Sequence, residues 1–366
     1  MSELAHITGE QVNHEVAVAF RTGLLPLAGS LVVAVSGGQD SLALLHAMVS
    51  LAPPAIRIQA VHVDHGMRAS SRTDAQRLAR TARAIGVPLT VRRYAVAAWV
   101  NKMGGNAEAS ARAVRYRLLL QVARSCATEV IVTGHTGDDL VETVLLHIIR
   151  GTGPEGLIGL LPSQRLPVSA FGSAPPRLTA IQGAAQIVRP LLNVERWQTA
   201  AYCALHGLQW IEDSSNLDVT FTRNRIRHHL LPLLETYNPS VRGAVRKLAT
   251  LARDDTQLIE GLVDAEWAML ATRSSMAVSF PRASLTSLSR AVVGRLIRRA
   301  ARKLVGHAGL SFDQIDRCIR LVESGDGVIN LSHGLEWRAK AESVSLGWMA
   351  QNARGVTREE RNEGRG

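Results

Sequence analysis

At 366 residues the chain is long enough for two packed domains. Forty-two basic against thirty-one acidic side chains leave a formal charge of +11, which suits either a nucleic-acid partner or a basic enzyme surface. The three cysteines, Cys126, Cys203 and Cys318, lie far apart with no Cys-x-x-Cys pair, which argues against a disulfide framework and against structural zinc or iron–sulfur sites. Few aromatic residues means no extended stacking surface for single strands. No apolar run reaches membrane-spanning length and the N-terminus carries no basic leader or signal core, so a cytoplasmic location is expected.

Residues 1–30 hold a mildly apolar pattern (Val12, Val16, Phe20, Leu24) that suits a helix ahead of the first strand. Residues 31–35, apolar and β-branched, read as a buried strand. Ser36, Gly37, Gly38 and Gln39 then turn the chain sharply, and 41–50 reads as a helix. Two adjacent glycines permit close backbone approach, and the free N–H groups of a helix start can surround a phosphate. Ser36 and Ser41 add hydroxyl donors; Asp40 adds a carboxylate that repels bare phosphate and suits a bridging Mg²⁺. The loop has neither the Gly-Lys-Ser/Thr ending of a Walker A motif nor Gly-x-Gly-x-x-Gly spacing.

A second strand is expected at 56–63, ending in Asp64-His-Gly-Met-Arg68, then a helix at 71–85 and a third strand at 89–94. Residues 106–122 read as a helix whose first turns place Glu108, Arg112 and Arg115 on one face, which intrahelical pairing alone would explain. The strand at 130–133 leads into Gly134-His-Thr-Gly-Asp-Asp139, and Asp138 or Asp139 with Glu142 opens the next apolar helix. Alternating strands and helices argue a parallel, doubly wound α/β sheet, with ligands collecting at its carboxyl edge.

Residues 151–188 are the least regular, and 162–176 reads as a surface excursion without chemistry. Order returns at 187–192, with a helix at 194–206. Arg223, Arg225 and Arg227 suit polyanion contact or a solvated surface; on a helix the first and last share a face while Arg225 points elsewhere. From residue 230 onward long helices at 239–268, 289–305 and 312–322 precede short strands within 325–348. The expected division is an α/β domain over 1–229, a mainly helical domain ending in a small ribbon over 230–350, and a disordered tail over 351–366.

Ser36-Gly-Gly-Gln-Asp-Ser41 resembles the Ser-Gly-Gly-x-Asp-Ser loop (PP-loop) of the ATP pyrophosphatases, whose fold is that of the adenine nucleotide alpha hydrolases. Together with Val61-His-Val-Asp-His-Gly-Met-Arg68, Gly105 to Tyr116, Gly134 to Thr143, Arg150-Gly-Thr-Gly153, Trp210 to Asn216 and Arg223-Asn-Arg-Ile-Arg227, it resembles the tRNA(Ile)-lysidine synthetase family. The resemblance covers about residues 28–235 and, more faintly, extends to about 348. It implies an enzyme that uses ATP and free L-lysine to convert the first anticodon cytidine of a CAU-reading isoleucine tRNA to lysidine. The cytosine O2 attacks the α-phosphorus, pyrophosphate leaves, and the lysine ε-amine then attacks C2 and expels AMP.

The resemblance further implies ATP held by Ser36, Gly37, Gly38, Gln39, Asp40 and Ser41, and Mg²⁺ on Asp40 with Asp138 or Asp139 as the second acid. Asp138, Asp139 and Glu142 are candidates to bind lysine and take its proton, with His135 the competing base. Arg112 is expected at the α-phosphate or the adenylated base, Arg223, Arg225 and Arg227 at the tRNA. It leaves a homodimer open. Asp64 stands where many relatives have Asn, and no further C-terminal domain of the kind longer relatives carry is evident. Rivals are a tRNA thiolation enzyme, which would need sulfur-handling cysteines, GMP or NAD synthetase, and a non-catalytic RNA-binding module.

Overall fold

The computed structural model describes residues 2–66, 71–96, 99–100, 107–172, 175–212, 218–306 and 309–349. The motif residues Met67, Arg68, Gly105, Asn106, Asp213 and Asn216, and the tail 351–366, lie outside the described residues, as does the side chain of Glu108. The chain divides into two compact units, Met1–Ala252 and Arg253–Gly366.

The first unit carries α1 (Ser2–Arg21), β1 (Gly29–Ala34), α2 (Gln39–Leu51), β2 (Ile56–Asp64), α3 (Ser71–Ile85), β3 (Leu89–Arg93), α4 (Ala107–Ser125), β4 (Val130–Thr133) and α5 (Gly137–Ile149). Then come β5 (Ser163–Pro167), β6 (Ala184–Val188), α6 (Arg196–Leu205), the helical turns Thr222–Arg225 and Ile226–Leu230, α7 (Leu231–Tyr237) and the first part of α8 (Val241–Leu270), a helix whose later turns belong to the second unit. The sheet order is β3-β2-β1-β4-β6-β5, parallel throughout except for β5.

Both faces of this sheet are covered, which is why its strands read as continuous apolar runs rather than alternating ones. In β1, Leu31 and Val33 pack with Val16, Leu44 and Met48 of α1 and α2, while Val32 between them packs with Tyr116 and Leu120 of α4. That alternation is the period-2 geometry of a strand buried on two sides. From β1 the chain runs outward to β2 and β3, then returns to place β4 on the other side of β1. The loops after β1 and β4 therefore diverge, and the crevice between them is where ligands of such sheets bind.

Two segments differ from the sequence reading. Within 162–176, residues 163–167 form the antiparallel edge strand β5 beside β6, and Phe171 stacks on Tyr116 with centroids 4.1 Å apart. Pro167 and the polar run before it mask the strand, because edge strands tolerate proline and need little apolar surface. The first unit also extends past residue 229. Ile226 and Leu231 pack with Val141 and Leu145, and Ala249 of α8 packs with Leu140, Val144 and Leu192. The expected boundary at 229/230 thus falls inside a packed core.

The second unit contains β7 (Thr272–Arg273), β8 (Ala277–Pro281), α9 (Arg282–Ser287), α10 (Arg290–Val305), α11 (Phe312–Ser324), β9 (Gly327–Asn330), β10 (Leu335–Ala339) and β11 (Ser343–Trp348). The expected ribbon is a five-stranded sheet of order β7-β8-β11-β10-β9. Val278 and Phe280 of β8 alternate inward to meet Leu296, Ile319 and the fully buried Trp337.

Candidate active site

The loop after β1 is closed by its own serines. Ser41 Oγ donates to Gly38 O (2.9 Å), so its hydrogen is engaged and the 3.1 Å contact with Ser36 Oγ must have Ser36 as donor. Ser41 Oγ also accepts from Ser36 N (3.2 Å), and Ser36 Oγ accepts from Gly38 N (3.3 Å). Gly37 sits at φ +94°, where a Cβ would also stand 3.0 Å from Ile211 Cδ1. Gly38 caps α2 without any side-chain hydrogen bond, so no cap side chain competes for the first-turn amides.

Asp40 in that first turn is tied to α6. Thr199 Oγ1 donates to its Oδ1, Arg196 Nε stands 3.9 Å from its Oδ2, and the neighbouring Gln39 Nε2 donates to Arg196 O (2.7 Å). Burial pushes the Asp40 carboxyl up to about 6; Thr199 and Arg196 oppose the rise, while Asp139 and Asp138 add to it. Three carboxylates therefore feel one another across the β1/β4 crevice.

The loop after β4 supplies the other wall. A Cβ on Gly134 would stand 2.9 Å from Asp40 O and 3.0 Å from Ser41 N, so only glycine lets the two loops meet. Asp139 Oδ2 accepts from Thr136 N (2.9 Å), closing the N-terminus of α5 as a capping residue does. Burial raises the Asp139 carboxyl, but Arg223, His135, the Thr136 amide and Arg227 outweigh it and hold the group below the usual carboxylate range. Asp138 turns to the other side, accepting from Arg196 N (2.7 Å) and from Arg242 Nη1 (2.6 Å).

Glu142, 1% exposed, is gripped by two arginines: Arg223 Nε at 2.8 Å from Oε2, and Arg227 with Nε at 2.6 Å from Oε1 and Nη2 at 2.9 Å from Oε2. Arg223 Nη2 also donates to Asp139 Oδ1 (3.1 Å). Arg223 and Arg227 thus share a face, as their spacing requires, and that face turns into the site. Arg225 is exposed and donates to Thr222 Oγ1 (3.3 Å).

His135 Nδ1 lies 2.8 Å from Thr133 Oγ1. Burial pushes its imidazole down to about 3; Asp139 opposes this, and Arg189, Arg223 and Arg112 reinforce it, so the ring is neutral near pH 7. Arg112 lies over the Tyr116 ring at 4.9 Å from the centroid. Beside it Arg189, 2% exposed, donates to Leu161 O (2.7 Å).

This geometry has relatives. Residues 10–234 match the family described as the PP-loop domain. A tRNA(Ile)-lysidine synthase of Gloeobacter violaceus is 39% identical over 279 residues, covering 76% of this chain and 78% of that protein. The chain belongs to the tRNA(Ile)-lysidine synthase family. A second member, from Salinispora tropica, is 37% identical over 85% of this chain and 88% of its own length. Among solved structures, a U34-tRNA thiolase (NcsA) from Methanococcus maripaludis with a 4Fe-4S cluster aligns with TM-score 0.54 at 14% identity, over 68% of this chain and 80% of that one. At that identity the likeness speaks for the fold alone.

Four of the seven stretches quoted from the sequence meet here: Ser36 to Ser41, Gly134 to Glu142, Arg112, and Arg223 with Arg227 stand at the β1/β4 crevice or on its wall. Thr199, Arg196 and Arg242 were not foreseen, because each reaches the site across a helix packing that no local sequence pattern encodes. Asp64, where the resemblance leads one to expect Asn, accepts from Gly66 N (2.8 Å) as an amide oxygen would, and its charge adds an ion pair with Arg93 (3.4 Å). Among the described residues no group of three or more His, Cys, Asp or Glu side chains gathers to hold a metal, and Cys203 and Cys318 are buried thiols pushed up to about 12 by burial.

Proposed function

We infer that this chain joins free L-lysine to C2 of the first anticodon cytidine of the CAU-reading isoleucine tRNA. ATP is consumed to AMP and pyrophosphate through an adenylated cytidine, and the product is lysidine. The observation that carries the reading is the serine-closed loop 36–41 meeting Asp40, Asp138 and Asp139 at the β1/β4 crevice in a member of this family. The tRNA partner makes the cytoplasm its place of work.

The residues present suit Mg²⁺. Asp40 is a half-buried carboxylate with Arg196 Nε 3.9 Å from its Oδ2, and Mg²⁺ takes one or two carboxylates together with substrate phosphates. Asp40 would hold it with Asp139, and the ion would neutralise charge on the phosphates and the leaving pyrophosphate. The first-turn amides of α2, left uncapped by Gly38, supply fixed donors to the same oxygens.

Lysine must be held as a cation and then lose a proton. Glu142 has both oxygens filled by Arg223 and Arg227, so its part is to fix those two arginines. Asp139, kept ionised and more open than Glu142 (18% against 1% side-chain exposure), is the carboxylate that faces the ammonium, and neutral His135 beside it adds no competing charge. Arg112 meets the α-phosphate or the adenylated base. Exposed Arg225 serves tRNA phosphates, a contact whose strength falls with salt.

The test is to incubate the protein with ATP, Mg²⁺, labelled lysine and unmodified isoleucine tRNA, with the CAU-reading methionine tRNA as control. Label is expected in the first tRNA only. No incorporation by folded protein, or sulfur incorporation in its place, would overturn the reading.

A further inference from the structure

Helix α8 is apolar on two sides. Its inner side is used: Val245 and Ala249 pack with Leu140 and Val144 of α5, while Ile259, Val263 and Trp267 pack into the core of the second unit. Its outer side carries Leu248, Leu251, Leu258, Leu262 and Met269, each between 42% and 71% exposed. A helix that serves only its own core has one apolar stripe and a polar opposite face, so a second stripe calls for a cover.

The spacing says what kind of cover. Positions 248, 251, 255, 258, 262, 265 and 269 follow one another by three or four residues, with Asp255 and Ala265 filling the two places that the large apolar side chains leave. That is the 3.5-residue repeat by which one helix seats its side chains between those of another. The seam runs about 30 Å along the helix, at 1.5 Å per residue. Exposed Asp255 is the one charge inside it, a polar place of the kind that fixes register in such pairs.

The charges say which helix and which way round. Residues 241–253 carry Arg242, Arg246, Lys247 and Arg253 and no acid; residues 254–270 carry five acids, Asp254, Asp255, Glu260, Asp264 and Glu266, and no base. Some are answered within the chain: Arg242 by Asp138, Arg246 by Glu195, and Glu260 and Asp264 by Arg299. Lys247, Asp254 and Asp255, all exposed, have no ion-pair partner among the described residues. A copy of this helix laid parallel would set like charge against like, whereas an antiparallel copy sets the basic half against the acidic half. We propose that the outer stripe of α8 packs antiparallel against the same stripe of a second copy of this chain. A two-fold pair needs only a surface complementary to itself, which this stripe is in both shape and charge.

The test is sedimentation equilibrium of the full chain without ATP or tRNA, from about 1 to 100 μM, with circular dichroism as the control for folding. The wild type is expected to dimerise. Leu258→Glu with Leu262→Glu, both at exposed positions, is expected to weaken the dimer by about 100-fold or more, and Lys247→Glu by about tenfold. Raising the salt from about 0.1 to 0.5 M is expected to loosen the wild-type dimer, because the charges across the seam attract. A wild type that stays monomeric, or a dimer that both variants keep, would overturn the inference. A dimer that tightens with salt would overturn the antiparallel order. A monomer that binds phosphatidylglycerol vesicles through the same leucines would overturn the inference in favour of a membrane-facing stripe.

Discussion

The Cα of Gly134 lies against the peptide that joins Asp40 to Ser41, so closely that a methyl there would stand 2.9 Å from Asp40 O. The atoms met are backbone, which cannot swing aside as a side-chain tip would. Gly134→Ala is therefore expected to displace the start of α2 and weaken ATP binding by about tenfold or more, with the helical content of the chain kept. Titration of ATP into the variant, with circular dichroism as a control, checks this; wild-type affinity would show that the two loops do not hold each other in register.

Glu142 is the counter-ion of two arginines. Glu142→Ala leaves Arg223 and Arg227 facing one another around a cavity, and removing one partner of a buried pair costs about 3–5 kcal/mol. Both guanidinium groups keep some solvent contact, so the lower end of that range is expected in urea unfolding, with activity lost as well. A change below about 1 kcal/mol would mean that the clamp is worth no more than a surface pair.

The raised Asp40 carboxyl gives the enzyme an acid limb. The proposed Mg²⁺ site needs Asp40 as the carboxylate, so activity at saturating tRNA and lysine is expected to rise with pH through about 6. Stability runs the opposite way for this group. Its folded value lies above the ordinary 3.8, so its contribution is full below 3.8 and is lost as pH rises through about 6. A pH–rate profile flat from 5 to 7 would contradict the assignment.

Thr199 opposes that rise by donating to Asp40. Thr199→Val keeps the shape of a fully buried side chain and removes the hydrogen bond. The acid limb is expected to move to higher pH, with the rate on its plateau changed by less than about tenfold. A limb that stays in place, or moves down, would show that Thr199 does not set the Asp40 proton affinity.

Much of this was legible in the sequence, for physical reasons that differ by segment. The strand at 31–35 and the glycine turn after it are local signals, because burial on both faces demands a β-branched run and the turn demands glycine. Glu142 could be placed at a helix start but not given a partner. Its arginines stand more than eighty residues away, brought in by Ile226 and Leu231 packing on Val141 and Leu145. The spacing of Arg223 and Arg227 fixed a common face without saying which way it turned. Thr199 and Gly134 act through contacts made only when α6 and the β4 loop close on α2. Strand β5 was hidden because an edge strand needs hydrogen-bonding backbone more than apolar side chains.

The most direct measurement is the fate of ATP phosphorus in single turnovers with isoleucine tRNA and lysine, for the wild type and for Asp40→Asn. AMP and pyrophosphate are expected in step with lysine entering the tRNA; Asp40→Asn is expected to form neither while still retaining tRNA. Release of ADP, or AMP formation undiminished in Asp40→Asn, would contradict an adenylation centred on this loop.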